Sequence, residues 1–309
     1  MILNWHGKAF PASFFYGLAP IRYNSAMNRQ PGLTPPEYLV IGHLTQDQIE
    51  NNFRLGGTAV YGAILAQRMG IQVAMATSYA PGIPLDALEE IEIHNQTAKN
   101  TTTFKNNYTP SGRIQTLLNR ADDLDLSRIP AHLRKAKIIH LAPVCLEVDF
   151  NARKDFLDNV LAYSLQGWLR NWDKNGLVHP SPLPKLDSGE KCPGTAFLSI
   201  EDLGFQRDKL DSIRQNFPCT VLTTGDHGAE LYQDEKMIEI PPEPSREVDP
   251  TGAGDIFAAA YMVYWVIKGK TPTEAAHLAN KLASISITRP GIEGIPTREE
   301  ILKTEKAHK

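Results

Sequence analysis

The sequence predicts an α/β fold with a mostly parallel central sheet and helices on both faces. Short apolar runs bounded by turn formers recur from Tyr38 onward: Tyr38–Gly42, Ile71–Thr77, then 137–143, 160–164, 195–200 and 219–225. Helical or turn-rich pieces separate them, and strands alternating with helices build parallel sheets covered on both sides. The chain has 309 residues, 42% of them hydrophobic, which is enough to bury such a core without covalent staples.

The elements follow in order. Residues 1–36 hold aromatics (Trp5, Phe10, Phe14, Phe15, Tyr16) and turn formers without a period of 2 or 3.6. They read as a non-catalytic extension, with disorder one expectation for it. No continuous apolar segment follows Lys8, so a secretory signal is not expected. Gly57–Met69 fits a helix, with Gly70 as its stop. Segments 101–109 and 112–119 are rich in Thr, Tyr and Asn and flank Pro110-Ser111-Gly112, a hairpin arrangement. Ala253–Lys268 reads as a buried apolar helix ended by Gly269. Thr271-Pro272-Thr273-Glu274 is a capping box with proline at the first helical position, opening a helix to about Ile287.

Charge and cysteine usage narrow the function classes. Lys and Arg number 32 against 35 Asp and Glu, so nothing electrostatic calls for nucleic acid or an anionic membrane as partner. Cys145, Cys192 and Cys219 are odd in number and far apart, as expected of reduced thiols in a cytoplasmic protein. The longest apolar run, Ile256–Ile267, is twelve residues, too short to span a bilayer. The nine histidines show no metal-ligand spacing. Gly269-Lys270-Thr271 looks like the end of a P-loop, but Tyr264 stands where its first glycine is required.

The chemistry concentrates in Val248-Asp249-Pro250-Thr251-Gly252-Ala253-Gly254-Asp255. Small residues at a helix start let backbone N–H groups approach an anion, and the helix end adds positive partial charge. Phosphoryl transfer develops charge on the equatorial oxygens of the moving group, which preorganised amides stabilise. Asp255, in the first helical turn, is placed to accept a proton from an alcohol. The positive helix end makes it a weak base, which suffices for a loose transition state. A glycine-rich turn with a capping Asp is the plain alternative for a shorter motif of this kind.

The segment from Asp249 to Met262 resembles the C-terminal signature of the ribokinase-like, PfkB-type carbohydrate kinases and matches it at every defined position. The resemblance implies a ribokinase-like fold with a small β lid, here from about 47–56 and 100–119, within a kinase domain over 37–309. It implies an anion hole at Gly252, Ala253 and Gly254, with Asp255 as catalytic base. It puts a substrate-side hinge at Gly56-Gly57 and a hydroxyl-binding carboxylate at Asp47, five residues after Gly42. Tyr61 stands where the family usually has a sugar-contacting Asn, a departure that questions ribose- or fructose-type recognition. Thr103 is a further pocket candidate, with Thr102, Phe104, Asn106 and Tyr108 beside it.

The nucleotide is expected at Thr223, Thr224, Gly225 and Gly228, with Asn280 lining the adenine pocket. Asp202, in Ser199-Ile200-Glu201-Asp202, stands where relatives carry an Asn-x-x-Glu tied to Mg²⁺, so an indirect metal role is implied. Asp249, Thr251 and the loop Arg289–Gly294 partly resemble a monovalent-cation site, with K⁺ as the candidate ion. The reading is ATP- and Mg²⁺-dependent phosphorylation of a small sugar, polyol or nucleoside hydroxyl by a cytoplasmic monomer or homodimer. Tyr61 and the short lid loosely resemble plant-type inositol kinases, so a cyclitol is one alternative. A non-catalytic sugar-binding regulator on the same fold is the other.

Overall fold

The computed structural model describes residues 34–109, 112–186, 191–233 and 235–308. The extension expected over residues 1–36 falls almost wholly outside them. The chain divides into two units, Met1–Thr34 and Pro35–Lys309, and everything below concerns the second.

The elements are β1 (Tyr38–Ile41), β2 (Thr45–Ile49), β3 (Asn52–Gly56), α1 (Thr58–Arg68), β4 (Val73–Thr77), β5 (Glu92–Asn95), β6 (Thr102–Thr109), β7 (Gly112–Asn119), β8 (Ile138–Leu141) and β9 (Val160–Ser164). They continue with β10 (Arg170–Trp172), β11 (Val178–Pro180), β12 (Thr195–Ser199), α2 (Lys209–Arg214), β13 (Cys219–Thr223), β14 (Ala229–Gln233), β15 (Lys236–Ile240), α3 (Ala253–Met262), α4 (Pro272–Ser286) and α5 (Arg298–Ala307).

Nine strands form the main sheet in the order β15-β14-β13-β12-β9-β8-β1-β4-β5. Pairing is parallel from β13 through to β5 and antiparallel only from β13 out to β15. Buried on both faces, the central strands are apolar without alternation. In β1, Tyr38 and Val40 join one core while Leu39 and Ile41 join the other.

The two faces are unequal. One is covered by α1, α3 and α4. In α3 the run Ala258-Ala259-Ala260 is fully buried, because a helix enclosed on every side must be small or apolar all round. This helix ends in a π turn over Val263–Ile267, where the sequence pattern reads as one continuous helix; Gly269, at φ +68°, follows it. The opposite face carries only the six-residue α2 and short 3-10 turns. Aromatics fill that layer: Phe150, Phe156, Trp168 and Phe217 are all buried in its core.

A four-stranded sheet, β3-β2-β6-β7, forms separately. The first stretch expected for the lid, about 47–56, is the hairpin of β2 and β3. Glu50 at φ +51° makes the two-residue reversal possible. β6 and β7 form the second hairpin, with a bulge at Thr103/Phe104. Phe104 and Leu117 pack on Val144 and Cys145 beyond β8, which seats this sheet beside the carboxyl ends of β1 and β8. Ligands of open α/β sheets bind at such ends. Among the described residues no helix is long and apolar enough to cross a membrane.

Candidate active site

The loop before α3 is tied by its own polar groups. Asp249 Oδ1 accepts from the Thr251 amide at 3.0 Å, and the Ala253 amide donates to the Pro250 carbonyl at 3.2 Å. Gly252 caps α3 at φ +84°, and a methyl group there would overlap the Tyr61 ring. Only glycine meets both demands. Gly254 is exposed, and nothing stands within 4 Å of where its Cβ would be. First-turn amides have no partner within their helix, so this open space lies over donors at a positive helix end. Of the three residues expected in the anion hole, Ala253 spends its amide on Pro250, whereas Gly254 stands open.

Asp255 is half-buried in the first turn of α3, close enough to act electrostatically on Tyr38 and Tyr61. Tyr61 sits among three carboxylates. Burial, then Asp47, Asp249 and Asp255, pushes its phenol far above the ordinary value, with Arg54 opposing, so the hydroxyl keeps its proton. It is buried without a hydrogen-bond partner among the described residues. A buried hydroxyl is rarely left so, and this one is free to donate to a ligand.

Asp47 lies on β2, where Oδ1 accepts from Asn106 at 3.2 Å. Asn106 in turn accepts from Gln115 at 2.9 Å, and Gln115 accepts from Arg170 at 2.9 Å. This relay orients the carboxylate from three strands. A Cβ on Gly56 would stand 2.8 Å from Asp47 Oδ2. Gly57, at φ +96°, would press a Cβ against the His43 carbonyl. The glycine pair therefore clears space for Asp47 at the start of α1. Thr103 is buried and its hydroxyl donates to the Thr101 carbonyl at 2.9 Å, while Phe104 pairs with Asp47 across the strands.

On the far side, β13 ends at Thr223 and leads into a single turn over Gly225–His227. The Thr224 amide and hydroxyl both donate to the Gly228 carbonyl, at 2.9 and 3.1 Å. A side chain at Gly228, where φ is +88°, would overlap the Ile240 carbonyl. Asn280 donates to the Pro241 carbonyl at 2.8 Å, which straps α4 to the end of β15. Asp202 Oδ2 accepts from the Ser199 amide and hydroxyl, both at 2.8 Å. Ser199 pairs with Thr223, so this carboxylate and the loop share one sheet edge.

Comparison with known proteins gives a family match and a fold likeness. Residues 206–298 match the pfkB family carbohydrate kinases, a span that includes the loop and α3. A pyrophosphate-dependent kinase of the ribokinase family, solved with a pyrophosphate analogue and myo-inositol, superposes with a TM-score of 0.68 at 19% identity, covering 86% of this chain and 99% of that one. The pfkB-family match thus lies in the C-terminal part of the chain, and the fold is that of the ribokinase-family kinases. Among curated relatives of the family, inositol 3-kinase of Zea mays is 28% identical over 127 residues, 41% of this chain and 33% of that protein. Inositol 3-kinase of Arabidopsis thaliana is 37% identical over 73 residues, 24% of this chain and 20% of that protein. The chain thus covers a third or less of these curated relatives.

Several groups around this loop and the small sheet carry no motif signal. Arg54, Gln115 and Arg170 reach Asp249 and Asp47 only through strand register. His43, Cys145 and Glu147 come together in the interior with their ligand atoms within 4.8 Å of one another. Both Glu147 oxygens accept backbone amides, from His43, Val144 and Cys145 at 2.7–3.0 Å. His43 is engaged by the Thr102 hydroxyl and the Asp122 carbonyl. The cluster is a backbone clamp behind the site, since its donors and acceptors are already matched to one another.

Proposed function

We propose that the protein is an ATP-dependent kinase that phosphorylates a hydroxyl of a small polyol or sugar. One observation carries the reading. The open first turn of α3, with Asp255 in it, adjoins Tyr61, whose hydroxyl has no partner among the described residues, and Asp47 acts on the same phenol. In this reading Asp47 and Tyr61 orient the acceptor. The acceptor oxygen attacks the γ-phosphorus while its proton passes to Asp255, and ADP leaves. The first-turn amides, Gly254 foremost, stabilise the charge that spreads over the transferring group.

Mg²⁺ would be held mainly by the nucleotide's phosphates and water, where it neutralises phosphate charge. Asp202 fits a water-mediated role, because its carboxylate is already engaged by the Ser199 amide and hydroxyl. The glycines and threonines at 223–228 would take the phosphates and ribose, with Asn280 near the base. A cyclitol such as inositol is the acceptor to test first, supported by the inositol kinases among the relatives and by Tyr61. A cytoplasmic location, with no nucleic acid or membrane partner, belongs to the same proposal and is supported by three buried free thiols. A monomer or homodimer is the assembly proposed.

The test is transfer of phosphate from ATP, or from pyrophosphate, across a panel of inositol, ribose, fructose and nucleosides. Turnover with one acceptor class, abolished in Asp255→Asn, supports the reading. Binding without turnover across the whole panel would refute it in favour of a sugar-binding regulator.

A further inference from the structure

Asp249 stands where the family likeness calls for a monovalent metal ion, and the groups around it do not fit one. Its Oδ1 accepts the Thr251 amide at 3.0 Å. Its Oδ2 accepts the Gly291 amide at 3.0 Å and Arg54 Nη1 at 2.8 Å. A metal ion needs oxygen lone pairs turned toward it, whereas here three N–H donors converge on the carboxylate and a full positive charge already balances it.

Arg54 is built into this place. The pair is largely shielded from water, with side-chain exposures of 33% and 16%. The arginine stem lies on Gly291, where a methyl group would overlap Arg54 Cδ and where φ is +52°. Residue 291 is therefore constrained both by the backbone and by the side chain crossing it. Arg54 is on β3, directly opposite Asp47 on β2. One guanidinium thus joins the small sheet that carries Asp47 to the loop that opens α3.

We propose that Arg54 is the resident cation of the Asp249 site, so that the anion-hole loop is held by a lid-strand guanidinium and needs no monovalent metal ion. Arg54 acts as a positioning residue: it fastens β3 to the loop and so fixes Asp47 relative to Asp255. The consequence for rate rests on the kinase reading; the cation claim does not.

The experiment compares KCl with tetramethylammonium chloride at equal ionic strength, following both melting temperature and phosphoryl transfer. The unaltered protein is expected to show the same melting temperature and rate in both salts. Arg54→Ala is expected to lose turnover by about tenfold, the scale of one lost charge-assisted positioning contact, and to regain part of it in K⁺ alone. Its melting temperature should rise with K⁺ and not with tetramethylammonium. Selective activation or stabilisation of the unaltered protein by K⁺ would overturn the proposal. So would a defect in Arg54→Ala that both salts restore equally, or that neither restores. If that variant does not fold, Gly291→Ala, which displaces the guanidinium without deleting it, takes its place. Should no acceptor be phosphorylated, the kinase reading fails, while the melting temperatures still decide the cation.

Discussion

Replacing Tyr61 by phenylalanine should move stability and substrate affinity in opposite directions. Tyr61 is 2% exposed and its hydroxyl has no partner among the described residues. Such a hydroxyl costs about 1–3 kcal/mol of desolvation in the folded state. Deleting it leaves a void the size of one oxygen, which at about 24 cal/mol per Å³ costs roughly 0.3–0.5 kcal/mol. The ligand-free variant should therefore be more stable by about 1–2 kcal/mol, a rise of roughly 2–6 °C in Tm for a domain of this size. With acceptor bound, the same hydroxyl would donate one hydrogen bond worth about 0.5–1.5 kcal/mol, so KM should rise roughly 2- to 10-fold. Calorimetry without ligand and acceptor saturation kinetics measure the two effects. A fall in Tm would mean that the hydroxyl has a partner in the ligand-free protein. A higher Tm with unchanged KM would remove Tyr61 from the acceptor pocket.

Other substitutions probe the remaining parts. Asp255→Asn should cut turnover by about 10²- to 10⁴-fold, the range for a lost general base, with nucleotide affinity by titration calorimetry little changed. Gly254→Ala should lower kcat/KM by about tenfold or more, because its methyl group enters the open space that the proposed reading gives to the transferring group; Tm should hold or rise by the small gain of alanine in a helix. Glu147 gives a pH signature. Burial opposes its ionisation, but His43 and the amides of His43 and Cys145 outweigh that and hold its carboxyl below its ordinary value of 4.5. A depressed folded value stabilises the protein above that pH, and the stabilisation is lost as pH falls through the folded value. Glu147→Gln should therefore melt lower at pH 7, by roughly 2–4 kcal/mol of stability, and lose less on acidification below about 4.5, as followed by Tm against pH.

The parts legible in the sequence are those whose signals are local. The capping box at Thr271 and Glu274 forms as the four-residue pattern requires, with both reciprocal hydrogen bonds. The apolar runs become the parallel strands, because a strand buried on both faces must be apolar throughout. The signature at 249–255 is legible because glycine, glycine and a carboxylate at fixed spacing constrain a single turn. What stays hidden depends on pairing between distant strands. Arg54 looks like an ordinary strand residue until a left-handed Glu50 closes the hairpin and sets it opposite Asp47. Arg170 reaches Asp47 through Gln115 and Asn106, residues separated from it by 55 and more positions in the chain. The thin helical cover of the second face was also hidden, since aromatics in turns bury as much surface as a helix stripe without its period.

The three carboxylates that act on Tyr61 explain why the site needs so much supporting structure. Three carboxylates acting on one phenol repel one another, and each needs a compensating charge or donor. Each has a different fixed compensation. Asp249 has the Arg54 guanidinium and two amides. Asp47 has an amide relay that ends on Arg170. Asp255 has the positive end of α3. The first two reach across strands far apart in the chain, whereas the helix end is local to Asp255. In the proposed reading a bound phosphate would meet that same helix end, which puts donor and base at one turn of the chain. In that reading Asp47 orients the acceptor while Asp249, through Arg54, holds the loop, so each carboxylate has a separate task and a separate support.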